Sequence, residues 1–237
     1  RLPQLHAEDI IVPGLTPRHQ EVHDLAVEIP RRLKAFQYKQ HSSSLWLVFL
    51  GGTGTGKSTL FNAVCDREIS RTGVERPKTR GAVTYAHGDA GLDRAFPFAD
   101  LDLTRRPAEA AGAIPEGGAP DKLLVLEHHR DEMAHLVLVD TPDLDSLEEE
   151  NRRVARTLVL LADDVVFVTS QEKYADEVPS DVLREITEEK RPVHFLLNKA
   201  EPAFSAEDAR KLFMGQEVAL PEDRVWIVPR LSDPSPE

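Results

Sequence analysis

The chain has 237 residues, 41% hydrophobic and 6% aromatic, enough for one large α/β domain with a modest appendage. Its formal charge of −12 argues against nucleic acid as a main partner, and no run of 18 apolar residues is present to cross a bilayer. The single cysteine, Cys65, cannot form an internal disulfide, and no signal segment opens the chain, so a reducing, cytoplasmic compartment is the simplest expectation. The first residue is Arg1 rather than Met, and we read the chain as a piece of a longer protein.

In chain order, residues 1–17 carry three prolines and little periodicity and read as an irregular lead-in. From 18 to 41, Val22, Leu25, Ile29, Leu33 and Phe36 recur at steps of three or four, which makes one apolar stripe along a helix. Pro30 lacks the N–H a helix interior uses, so a kink or a break is expected there. The stripe is read as packed on the domain or on a partner helix. Arg31, Arg32, Lys34 and Lys39 leave membrane contact through this helix, or through missing flanks, as the alternative.

Residues 45–50, Leu-Trp-Leu-Val-Phe-Leu, form an apolar run of strand length suited to burial on both faces. A glycine-rich turn and a helix over 58–66 follow. Further strands are expected near 82–86, 122–128, 136–139, 164–169, 193–197 and 225–228. Helices are expected from 146 to about 161, where Ser146 and Glu149 have capping-box spacing, and over 179–190 and 205–215. Strands alternating with helices predict a three-layer sandwich, a mostly parallel sheet covered on both faces. Residues 89–121, rich in Gly, Ala and Pro, break that rhythm and read as an insertion. The domain reading is therefore 1–44 as lead-in and helical extension, 45–231 as the main domain, and 232–237 as a tail.

Three motifs carry chemistry. Gly51-Gly52-Thr53-Gly54-Thr55-Gly56-Lys57-Ser58 meets the P-loop spacing between a strand and a helix. Glycines there let backbone N–H groups turn inward around phosphate, and the following helix adds its dipole. Lys57 is then placed to reach the β- and γ-phosphates, with Thr59 next in the helix, and the Ser58 hydroxyl to ligate Mg²⁺. The second motif, Asp140-Thr141-Pro142-Asp143, ends a strand, where Asp140 can hold Mg²⁺ directly or through water. The third is Asn198-Lys199-Ala200-Glu201 after an apolar strand. A carboxylate at Glu201 can accept from the two donors of a guanine edge, whereas adenine offers an acceptor there.

The third motif resembles the Asn-Lys-x-Asp base-reading sequence of GTPases, with Glu in place of Asp. Glu75-Arg76-Pro77-Lys78-Thr79-Arg80 resembles the first switch of dynamin-like GTPases, which makes Thr79 the candidate metal-sensing threonine, with Thr72 and Thr84 as competitors. From about 45 to 230 the chain is similar to the translation-factor-related GTPases, closer to the Era-like and dynamin-like branches than to Ras. That resemblance implies a P-loop NTPase fold, GTP and GDP as ligands with Mg²⁺, hydrolysis coupled to a switch in 70–82 and 140–148, and self-association through the nucleotide face.

The departures from the family pattern are specific. Asp143 stands where the second motif has a glycine whose N–H senses the γ-phosphate. Leu144 stands where Ras-like enzymes carry the water-orienting glutamine, and Gly54 removes the Asn or Asp that holds a monovalent cation in some relatives. Arg76 or Arg80, or an arginine from a second subunit, is then the candidate for stabilising transition-state charge. Pro229-Arg230-Leu231-Ser232 is the only material for a further base loop. Two other readings stay open: a GTP-loaded scaffold that does not hydrolyse, and a P-loop ATPase. His87, His128, His129 and His135 do not read as a metal site, because adjacent His128 and His129 on one strand would face opposite ways.

Overall fold

The structure is a computed structural model. It describes residues 19–70, 81–92, 96–109, 122–145, 149–170, 177–188, 191–201, 203–205, 207–209, 211 and 222–230. The chain divides into two compact units, 1–43 with 92–99, and 44–91 with 100–237.

The smaller unit is built on helix α1 (His19–His41), a single helix that passes through Pro30 without interruption. Its buried side is not the apolar stripe read from the sequence. Ala35 and Tyr38 are buried, while Leu25, Ile29, Leu33 and Phe36 are 53%, 58%, 38% and 60% exposed. Tyr38 donates its hydroxyl to the Leu92 carbonyl and meets Phe96 edge-on, and Phe96 meets Phe98. The Arg31 guanidinium lies 5.3 Å from the Phe98 ring centre. Leu92 and Phe96 thus meet the helix at Tyr38, a pairing that periodicity within the helix cannot reveal.

The larger unit is an eight-stranded sheet with strands β1 (Leu45–Gly51), β2 (Ala82–His87), β3 (Asp102–Pro107), β4 (Lys122–His128), β5 (Leu136–Asp140), β6 (Asp164–Ser170), β7 (Val193–Ala200) and β8 (Val225–Pro229). Their order is β3-β4-β2-β5-β1-β6-β7-β8. Every pairing is parallel except β2 with β5. Helices α2 (Lys57–Cys65), α3 (Glu149–Val159) and α4 (Glu177–Glu188) belong to the same unit. Strand β3 lies within the stretch read as an insertion. Its sequence, Asp-Leu-Thr-Arg-Arg-Pro, lacks the apolar run that marks the inner strands, because an edge strand has one neighbour and needs less apolar surface.

Strand register sorts the core onto two faces. On one, Phe49 and Leu138 pack with Phe61 and Cys65 of α2, and Val166 and Val168 join them. On the other, Trp46, Val48, Leu50, Val137, Val139 and Val165 are also buried. A central strand covered on both faces needs apolar residues at every position, which is why 45–50 shows no alternation. Burying a side chain the size of Leu or Phe is worth about 1.5–3 kcal/mol, so this core fixes the strand ends that carry the motifs. Among the described residues no helix is long and apolar enough to cross a membrane.

One boundary differs from the expectation. Strand β7 runs on through Asn198 and Lys199 to Ala200, with a register shift between Leu197 and Ala200 against β8. The third motif therefore sits on the strand's irregular end rather than after it. The Ser146 capping position lies outside the described residues. At the expected 205–215 helix, Ser205 and Asp208 cap reciprocally, Ser205 N–H and Oγ donating to Asp208 Oδ2 and Asp208 N–H to Ser205 Oγ.

Candidate phosphate and base site

Strand β1 ends at Gly51, and the turn to α2 reverses through two left-handed glycines, Gly54 at φ 78° and Gly56 at φ 90°. A side chain is disfavoured at such φ values. Gly51 is required for a different reason: an added Cβ would lie 2.3 Å from the Val168 carbonyl oxygen of β6. The Thr55 hydroxyl donates to the Gly52 carbonyl and closes the loop on itself. Among the described residues nothing stands within 4 Å of a Cβ built on Gly54, so the loop presents an open backbone to them at the N-terminus of α2, where helical N–H groups favour an anion.

Lys57 leaves this loop into the core and is only 2% exposed. Its Nζ donates to Asp140 Oδ1 at 2.7 Å and to the Thr141 carbonyl, with Asp143 Oδ1 at 3.6 Å. Burial pulls the ammonium pKa down, but Asp140 first and Asp143 second outweigh it and hold the pKa above its ordinary value. Asp143 is pushed above the usual carboxylate range by burial, against the pull of Lys57 and the Thr53 hydroxyl. The Ser58 hydroxyl donates to Asp140 Oδ2 at 2.7 Å. Lys57, Ser58 and Asp140 are therefore joined, and two hard oxygen donors stand side by side at the phosphate loop, which suits Mg²⁺.

Two residues that the sequence reading did not single out take part. The Ser70 hydroxyl donates to Asp140 Oδ2 at 2.6 Å, and Asn62 fixes Ser70 through its N–H and carbonyl. No local pattern marks Ser70, since it lies 12 positions beyond Ser58 and meets Asp140 only in three dimensions. Asp145 accepts from the Thr53 N–H and hydroxyl, both at 2.7 Å. Asp145 lies two residues beyond the second motif, and no local pattern marks its contact with Thr53, 92 positions away. Leu144 is buried and its N–H donates to the Gly51 carbonyl.

The third motif meets the same loop from the other side. Asn198 Nδ2 donates to the Thr55 carbonyl at 2.8 Å, and Lys199, itself at φ 56°, donates from Nζ to the Gly54 carbonyl at 2.7 Å. A Cβ on Gly56 would lie 2.1 Å from Asn198 Nδ2. Glu201 is exposed at the end of β7, and Arg230 N–H donates to the Ala200 carbonyl, which brings the end of β8 beside it. Thr59 is exposed and lines a shallow pocket with Asn62, Ala63 and Asp66.

Thr79, Arg76, Arg80 and Thr72 lie outside the described residues. Thr84 is fully buried in β2 and its hydroxyl has no partner among the described residues, so it is not placed to act as a switch threonine. The expectation for the histidines needs correction. His129 lies beyond the end of β4, and the rings of His128 and His129 both approach His87, at 5.6 and 5.9 Å. Among the described residues no group of three or more His, Cys, Asp or Glu could hold a metal ion.

A mostly parallel sheet carrying a phosphate loop, an aspartate at the end of the neighbouring strand and an Asn-Lys motif clamped to that loop defines the P-loop GTPase class. The profile of the 50S ribosome-binding GTPase family matches residues 47–199, and the chain belongs to that family. An uncharacterized protein from the xynA 3′ region of Caldicellulosiruptor sp. (strain Rt8B.4) is 27% identical over 180 residues, 69% of this chain and 42% of its own length. The chain thus spans less than half of that relative. A chain of an oligomerised bacterial dynamin pair, reported as a mechanism for long-range sensing and tethering of membranes, superimposes with TM-score 0.51 at 17% identity. The match covers 87% of this chain and 35% of that one. Era, solved with MgGDPNP and nucleotides 1506–1542 of 16S ribosomal RNA, gives TM-score 0.48 at 16% identity over 80% of this chain and 51% of that one. At these identities the likeness concerns the fold.

Proposed function

We propose that this chain binds GTP with Mg²⁺ and hydrolyses it to GDP and phosphate, with turnover accelerated by a second copy or another activator at the nucleotide face. The observation that carries the reading is the convergence of Lys57, Ser58 and Asp140 beneath a loop whose rim is held by Asn198 and Lys199. In this reading Gly51 to Thr59 hold the phosphates, and Lys57 exchanges part of its carboxylate contact for the β- and γ-phosphates. Ser58, Asp140 and Thr79 hold Mg²⁺, which when bound neutralises charge developing on the phosphates. Asn198, Lys199 and Glu201 read the base. Water attacks the γ-phosphorus, the bond to the β–γ bridging oxygen breaks, and the proton leaves with phosphate or to solvent.

One observation favours a second reading. Leu144 is buried with its N–H on the Gly51 carbonyl, and Asp143 puts a carboxylate near Lys57 where the family has glycine. Neither residue orients water, so a scaffold governed by GTP occupancy alone is the alternative.

Competition between GTP and ATP for a labelled guanine nucleotide tests base choice. Guanine preference that weakens by roughly 10- to 100-fold in Glu201→Ala is expected, and preference for ATP overturns the assignment in favour of an ATPase. Single-turnover phosphate release across a protein concentration series tests hydrolysis. Release that rises with concentration and disappears in Lys57→Ala supports the enzyme, whereas no release at any concentration supports the scaffold.

A further inference from the structure

We propose that Asp145 is an internal competitor for the phosphate loop: its carboxylate and the terminal phosphate of a nucleoside triphosphate exclude one another, so its displacement reports triphosphate. The inference rests on the loop binding nucleotide, as proposed above, and adds a regulating residue that the three motifs do not contain.

The geometry is specific. Asp145 Oδ1 accepts two hydrogen bonds from one residue of the loop, Thr53 N–H and Thr53 Oγ, both at 2.7 Å. Its Oδ2 lies 3.3 Å from the position a Cβ would take on Gly52. One residue earlier, Leu144 N–H reaches the Gly51 carbonyl at 3.2 Å. Leu144 and Asp145 therefore follow the first three residues of the loop, and the carboxylate meets a backbone N–H at the kind of position where such loops meet phosphate.

A carboxylate held by backbone N–H and hydroxyl donors satisfies them as a phosphate oxygen does, because both are anionic acceptors. Two such anions cannot share the donors, and like charge in a partly desolvated site is strongly unfavourable. Asp140 and Asp143 already place two carboxylates next to Lys57, so the site carries surplus negative charge before a nucleotide arrives, and the carboxylate that sits on the loop's own donors is Asp145. A diphosphate, one phosphoryl group shorter, leaves Asp145 in place. Thr53 sharpens the device, since its hydroxyl supplies a second donor that glycine or alanine would lack.

Asp145 sits two residues after Asp143, the position where the family pattern senses the γ-phosphate with a glycine N–H. In this chain that task passes from an N–H attracted to phosphate to a carboxylate repelled by it. The group displaced is then the Asp145 carboxylate, while Asp140 stays held by Lys57, Ser58 and Ser70.

The test is equilibrium binding of labelled GDP and of a non-hydrolysable GTP analogue, with Mg²⁺, to the unmodified chain, Asp145→Asn and Asp145→Ala. Affinity for the analogue is expected to rise about tenfold in Asp145→Ala while GDP affinity changes little, with Asp145→Asn between them because the amide keeps an acceptor but loses the charge. An unchanged ratio of the two affinities, or an equal loss of both as expected for a purely structural residue, overturns the proposal. Asp145→Asn, which preserves shape, decides the matter if Asp145→Ala fails to fold. Amide hydrogen exchange on the unmodified chain gives an independent readout: the Leu144 and Thr53 amides change protection with the analogue and not with GDP. Failure of all three proteins to bind either nucleotide removes the nucleotide-binding reading itself, and the inference with it.

Discussion

Lys57 Nζ and Asp140 Oδ1 lie 2.7 Å apart with side chains only 2% and 0% exposed. The pair joins the start of α2 to the end of β5. A buried ion pair contributes little net stability, but breaking one from either side leaves a charge that must be met by something else. The two sides are unequal here. Without Lys57, Asp140 keeps the hydroxyls of Ser58 and Ser70. Without Asp140, the ammonium keeps the Thr141 carbonyl and a more distant Asp143.

Asp140→Ala is therefore expected to destabilise the protein by about 3–5 kcal/mol, and Lys57→Ala by less. Urea unfolding without added nucleotide measures both. Equal losses would mean that Ser58 and Ser70 do not hold the aspartate as their geometry implies.

Two glycines of one loop are expected to differ sharply. Gly54→Ala meets no atom of the described residues and carries the left-handed φ, a cost of about 1–2 kcal/mol. Gly51→Ala drives a Cβ to 2.3 Å from the Val168 carbonyl oxygen, which a backbone inside the sheet cannot easily yield. It is expected to cost more than 3 kcal/mol or to prevent folding, with thermal melts separating the two variants.

His128 carries an acid sensitivity. It is buried against Tyr85, with ring centres 4.2 Å apart, its Nδ1 accepts from Arg130 N–H, and its Nε2 has no partner among the described residues. Burial, then His87 and Arg130, lower its pKa to about 4, against the opposing pull of Glu132. The unfolded chain takes up this proton near pH 6.5 and the folded chain only near pH 4, so the stability attached to neutral His128 is complete above 6.5 and is lost as pH falls towards 4. Urea unfolding at pH 7 and pH 5 is expected to show a loss on the order of 1–2 kcal/mol that is absent in His128→Phe, whose ring can keep the stack on Tyr85.

Much of the fold was legible because its inner strands have no choice. Leu45–Leu50, Leu136–Val139 and Val165–Val168 are apolar at nearly every position, and only burial on both faces accommodates that pattern. Strand β3 was not legible, since Asp102, Arg105 and Arg106 make a polar stretch whose strand conformation depends on β4 beside it. Which side of α1 packs within the chain was not legible for a related reason: the apolar stripe from Leu25 to Phe36 is periodic, but those side chains are exposed and it is Tyr38 that meets Leu92 and Phe96, which leaves the partner-helix reading of the stripe standing.

The glycines, Lys57, Ser58, Asp140 and Asn198 to Glu201 stand in the sequence at spacings set by local geometry, a strand end followed at once by a turn, and the amino-acid sequence by itself determined that a glycine-rich turn of P-loop spacing and an Asn-Lys-Ala-Glu segment close two buried strands. Only the tertiary structure decided that Lys57 rests on Asp140, that Ser70 shares that carboxylate and that Asp145 occupies the donors of Thr53. Those contacts join residues up to 92 positions apart, brought together by the parallel sheet that sets β1 between β5 and β6. No spacing along the chain encodes them, because what fixes them is the packing of strands and the demand that each buried charge find a partner.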